Sequence, residues 1–172
     1  SLGWDPTANI ENILLDYSRY FIGSKVGESF SKGLFNLEKN WRGPLAENQG
    51  VQNTLTQFQE LERKATPAML QNWRFQQALY RAYYDATDRS RLLQETAQEE
   101  KALAHLRKAS STGSLQAISN ASIALAKPDV LEGAQTRARV FELAEALFQS
   151  IHMQLSVSKY KAIGIRRGAN LD

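Results

Sequence analysis

Between Asn72 and Asp88 the chain concentrates the side chains best suited to gripping a ligand: asparagine, tryptophan, two arginines, glutamines, tyrosines and two aspartates. Steps of three and four residues put side chains on one face of a helix. Arg74, Gln77, Arg81, Asp85 and Asp88 therefore share one stripe, and Asn72, Gln76, Tyr80, Tyr83 and Thr87 share another. An arginine fork grips carboxylates bidentately and stacks on aromatic faces. Arg74, Arg81 and Tyr84 thus suit an acidic sugar or another anion. The same residues also fit an Arg–Asp network that locks helices together, because a buried polar group left without a partner costs about 1–3 kcal/mol. Accessibility separates the two readings: if Arg74 and Arg81 are fully buried and paired with Asp85 or Asp88, no ligand site is left there. Trp41 and Arg42, just before the Gly43-Pro44 stop, form a second candidate, either an aromatic platform or a plug at the end of a bundle. The candidate ligand-binding set is Trp41, Arg42, Asn72, Trp73, Arg74, Arg81, Tyr84 and Asp85.

Reaction chemistry is harder to find. A di-iron bundle needs a Glu-x-x-His pair on each of two helices, but His105 follows Ala102 and His152 follows Gln149 at that spacing. No two-histidine zinc spacing occurs. There is no Gly-x-Ser-x-Gly turn and no glycine-rich phosphate loop. Glu95, Glu99 and Glu100 lie in a polar run, where Arg91 and Glu95 pair at i,i+4 on a solvated face. Neither a catalytic residue nor a metal nor a cofactor is expected.

The 172 residues suffice for one good core. Hydrophobic content of 42% against 23% charged residues argues for a folded chain. The net charge of +3 comes from 21 cations and 18 anions spread along the sequence. Nucleic-acid binders gather their cations into a stripe, and the only local excess is Lys159, Lys161, Arg166 and Arg167, so no nucleic-acid partner is expected. The absence of cysteine excludes disulfides and thiolate metal sites. No apolar run approaches the roughly 20 residues of a membrane span.

The elements that must carry these residues read as helices throughout. Apolar residues at helical spacing mark a first helix from Thr7 or Asn9 to Gly23, and a second capped by Ser24 and stopped at Gly43-Pro44. Gly27 and Gly33 inside the second imply close approach of another helix. A third runs from Val51 to Ala65. Thr66-Pro67 is a start signal, and no glycine or proline follows until Gly113, which predicts one long helix from Pro67 to Ala109 of about 43 residues and roughly 64 Å. Its first half, to Asp85, is apolar on most sides and should be a buried hub. Its second half, from Arg89, has a narrow apolar stripe and should lie at the surface or pair with just one or two helices. After a turn at Ser110–Gly113 comes a short helix with Leu115, Ile118, Ser122 and Leu125 inward, ending at Lys127-Pro128. The last helix, Val130 to Ser156, turns Ala134, Ala138, Phe141, Ala144, Phe148, Ile151 and Leu155 inward, with Val140, Leu143 and Leu147 widening that face. The fold class is all-α: about six helices around one long central helix. Residues 1–158 form the bundle and 159–172 an extended tail. The opening Ser1-Leu2 and the unterminated end suggest a fragment of a larger protein.

The stretches IENILLDYSRYFIG, GLFNLEKNWRGPLAENQG, NWRFQQALYRAYYDATDRSRLLQET and the closing RRGANLD resemble a helical region that follows the catalytic barrel in large bacterial proteins of glycoside-hydrolase type, similar to α-glucuronidases and N-acetylglucosaminidases. The resemblance covers Pro6 to Asp172 and includes no catalytic signature, so no acid or nucleophile is carried over. It implies a non-catalytic accessory domain that supports a (β/α)₈ catalytic domain, with the rest of its own polypeptide as partner and carbohydrate as a possible ligand. It also implies an exported parent protein. Two other readings stay open: an anion-binding module using the Arg/Tyr stripe, and a helical interaction or oligomerisation module using the exposed half of the long helix.

Overall fold

Helix caps set the first elements. The Asn9 side chain accepts from the Asn12 N–H and opens α1, Ile10–Phe21. The second helix, α2 (Gly27–Lys39), starts later than its sequence suggests: Ser24 lies in a turn, and Val26 holds the cap position without a side-chain bond. A short 3₁₀ turn, Leu45–Glu47, leads to α3, Gly50–Arg63. A computed structural model places these elements and describes residue 5 and residues 7–126, 134–153 and 155. Among the described residues every regular element is helical, and the chain is an all-α bundle organised around one long helix.

That helix is shorter than the unbroken run from Pro67 to Ala109. Thr66 caps the start as its sequence predicts, accepting from the Met69 N–H, but α4 spans only Pro67–Gln71. Asn72 then turns to extended backbone (φ −74°, ψ 115°), and its side chain accepts from the Arg74 N–H to open α5, Trp73–Arg107. An asparagine that bonds nearby backbone competes with the helix ladder, so the chain breaks without glycine or proline. The 35 residues of α5 measure about 52 Å. Beyond it, the predicted turn holds one further helical turn, α6 (Ala109–Thr112), before Gly113 at φ 85° and then α7, Ser114–Leu125. The described part of the last helix is α8, Ala134–Ile151, and His152 leaves the helix at φ 54°. Val130, Ser156 and the tail 159–172 lie outside the described residues.

The core surrounds the first half of α5. Phe75, Ala78, Leu79 and Ala82 are buried against Phe30 of α2, Val51 and Phe58 of α3, and Val140, Leu143, Ala144 and Leu147 of α8. Each fully buried Phe or Leu contributes about 1.5–3 kcal/mol. The inward face of α8 centres on Val140, Leu143, Ala144 and Leu147, whereas Ala138 is exposed and Phe141, Phe148 and Ile151 are half-buried. The face is thus rotated from the predicted one. Close approach explains both helical glycines. A Cβ on Gly33 would sit 2.9 Å from the Phe58 ring, and one on Gly27 would sit 2.8 Å from Arg19 Cγ.

The second half of α5 forms an arm with α6 and α7. The two helices of the arm meet through small side chains, Ala102 on α5 and Ala117 and Ala121 on α7, all buried. This corrects the predicted inward face of α7. Leu115 is 84% exposed, Ile118 55% and Leu125 53%, and Ser122 is exposed as well. Alanines let the helices approach closely, so the bulky residues are left outside.

Candidate functional site

Asp85 is the centre of the polar cluster. It lies on α5 with 0% exposure. Asn40, the residue after α2, donates from Nδ2 to Asp85 Oδ2 at 2.9 Å. Trp41 donates from Nε1 to Oδ1 at 2.9 Å. One turn earlier on α5, Arg81 Nε donates to both oxygens at 3.1 and 3.2 Å. Asn40 is itself held: Thr54 of α3 donates to its Oδ1 at 3.1 Å, and Asn48 donates from Nδ2 to its carbonyl at 3.0 Å. Burial raises the Asp85 pKa above the ordinary aspartate value, against the lowering effects of Asn40, Arg81 and Trp41. Both carboxylate oxygens accept hydrogen bonds, so Asp85 clamps the end of α2 to α5.

The remaining candidates divide. Asn72 donates from Nδ2 to the Phe21 carbonyl at 2.7 Å and ties the end of α1 to the start of α5. The Arg74 guanidinium lies 3.8 Å from the Phe21 ring centroid and 4.2 Å from that of Trp73, a cation–π sandwich. Tyr84 stacks on Tyr80 with ring centroids 5.7 Å apart. Burial raises the pKa of both hydroxyls. Arg42 is exposed and lines neither groove described below, so the structure does not bring it to the others.

Two grooves meet at Arg81. One, of about 400 Å³, is lined by Trp41, Tyr80, Arg81, Tyr84, Asp85 and Leu155. The other, of about 350 Å³, has an apolar floor including Tyr17, Phe30 and Leu34, and a rim of Glu38, Arg74, Gln77 and Arg81. The Arg81 side chain is 39% exposed. Its Nε is taken by Asp85, while its Nη atoms make no hydrogen bond among the described residues. Trp41 is 51% exposed, and the Arg81 guanidinium lies over its ring, 5.7 Å from the centroid. This pair is the part of the cluster that can still meet a ligand.

A second polar network was not foreseen from the sequence. Arg139 of α8 donates from Nη2 and Nε to Glu62 of α3 at 2.6 and 3.0 Å, and from Nη1 to Glu142 at 2.6 Å. Tyr83 donates to the other Glu62 oxygen at 2.7 Å, and burial followed by this bond pushes its hydroxyl pKa up to about 12. Glu62 and Arg139 stand 77 positions apart, and no local spacing signals such a pair. Asn40 was legible only as the neighbour of Trp41. Among the described residues no group of three or more His, Asp or Glu side chains could hold a metal ion, and no helix is long and apolar enough to cross a membrane. Set against known protein families, curated proteins and solved structures, the chain matches none of them.

Proposed function

We propose that the chain is a non-catalytic helical module whose hub is a rigid platform and whose α5–α7 arm docks on another protein surface. The observation that carries this reading is the exposed apolar face of α7, standing out from a bundle whose central carboxylate is saturated by structural donors. Large exposed apolar patches mark interaction sites. The sequence resemblance supplies the setting: an accessory domain supporting the catalytic domain of an exported bacterial carbohydrate-active protein. Assayed against aryl-glycosides and glucuronides, the chain is expected to give no turnover, and robust turnover would overturn the reading.

One observation favours a second role beside the first. The outward Arg81 Nη pair next to the exposed Trp41 face suits a carboxylate on a ring, as in an acidic sugar. Titration with glucuronate should change the tryptophan fluorescence, and Arg81→Gln should abolish the change. An unchanged spectrum would remove this role and leave the module reading intact.

A further inference from the structure

The exposed face of α7 has a self-complementary pattern. Leu115, Ile118, Ser122 and Leu125 repeat with the three-and-four spacing of an a/d seam. The pattern is symmetric about Asn120: Leu115 and Leu125 lie five residues to either side, and Ile118 and Ser122 two. Two such helices laid antiparallel about a twofold axis at Asn120 set Leu115 against Leu125 and Ile118 against Ser122. An isologous dimer requires this kind of patch, in which the same residues serve both partners.

Charge points to the same occupant. From Ser114 to Leu125 there is no Asp, Glu, Lys or Arg, so along α7 self-pairing brings no like charges together and a charged partner finds no complement there. Area agrees too. The arm is an antiparallel hairpin, and helical spacing brings Leu103 and Leu106, 47% and 43% exposed, to the flank beside Leu115 and Ile118. Together the apolar side chains expose on the order of 500 Å², the size of the largest patch on a typical monomer. Pairing two such faces with their polar rims buries about 1,200 Å² in total, within reach of a specific interface.

We propose that a second copy of this chain covers α7, antiparallel across a twofold axis at Asn120, so that the two arms form a four-helix contact. This rests on the arm being the docking element, and it names the partner. The chain has no cysteine, which makes single-cysteine probes clean. Sedimentation equilibrium should give a dimer. Ile118→Lys should halve the mass while leaving helical ellipticity unchanged, because Ile118 is half-exposed in the protomer, and Leu115→Lys serves as a second such variant. Oxidising a mixture of Ile118→Cys and Ser122→Cys chains should yield the mixed disulfide several-fold above either homodisulfide. A monomer at several hundred micromolar, a dimer indifferent to both lysines, or dominance of the 118–118 homodisulfide would each overturn the proposal. None of these results touches the non-catalytic reading, which fails only on turnover.

Discussion

The two halves of α5 belong to one continuous helix and owe it to different causes. From Trp73 to Thr87 the helix buries nine residues, from Phe75 to Thr87, whereas beyond Asp88 it buries only Ala102. The first half is rich in aromatic residues of modest helix propensity and is held by α2, α3 and α8 packed around it. The second half is rich in Leu, Ala, Glu, Arg and Gln, which favour helix without help. It adds the Arg91 pairs with Asp88 at 2.9 Å and Glu95 at 3.7 Å, worth only a few tenths of a kcal/mol each. Tertiary packing makes a rigid hub of one half. Local propensity keeps the other straight enough to present a face.

Truncations along α5 should expose this contrast. Phe75→Ala, in the hub, is expected to cost about 3–5 kcal/mol in urea denaturation; a loss as small as that of an arm substitution would erase the distinction. Asp85→Ala should follow at about 2–3 kcal/mol, since it strips the acceptor from Asn40, Trp41 and Arg81. Asp85 also gives the hub a pH signature. Its pKa is raised in the folded state, so the native protein holds this proton where the unfolded chain has lost it. The resulting stabilisation is full below the ordinary aspartate value of 3.8 and is lost as pH rises through the folded pKa. The stability of the wild type relative to Asp85→Asn should fall across that window, and parallel pH curves would contradict the shift. Asn72→Ala should cost about 1 kcal/mol as a lost cap, read from the shift in denaturation midpoint. Leu103→Ala, in the arm, should change protomer stability by less than about 0.5 kcal/mol, checked in an Ile118→Lys background so that association does not contribute.

Signals that act within one turn of helix were legible in the sequence. The caps at Asn9 and Thr66, the Arg81–Asp85 pair at i,i+4 and the close approaches at Gly27 and Gly33 all stand where local spacing put them. The buried hub was legible because a helix apolar on most sides needs neighbours on most sides. Three features were not. The break at Asn72 depends on a side chain choosing its own backbone over the ladder, with the Phe21 carbonyl rewarding the choice from 51 positions away. The orientation of α7 depends on alanines winning the contact with α5, whereas periodicity assigns the inner face to the bulkier residues. The Glu62 clasp joins residues that only the closed fold brings together. For the candidate site, the sequence located Trp41, Arg81 and Asp85, but it could not show that Asp85 is saturated and that only the outer side of Arg81 faces a groove.

The clasp between Glu62 and Arg139 has a kinetic consequence. Closing a loop of 77 positions costs about 1.4 kcal/mol more than closing the fifteen or so that separate Ala102 from Ala117, roughly a tenfold difference in the chance of contact. The arm hairpin can therefore zip from its own turn, while α8 must wait until α3 and the hub half of α5 offer a surface to land on. Between these two contacts, closure cost opposes burial: the lightly buried arm closes cheaply, whereas α8, which completes the core, closes at the greater cost.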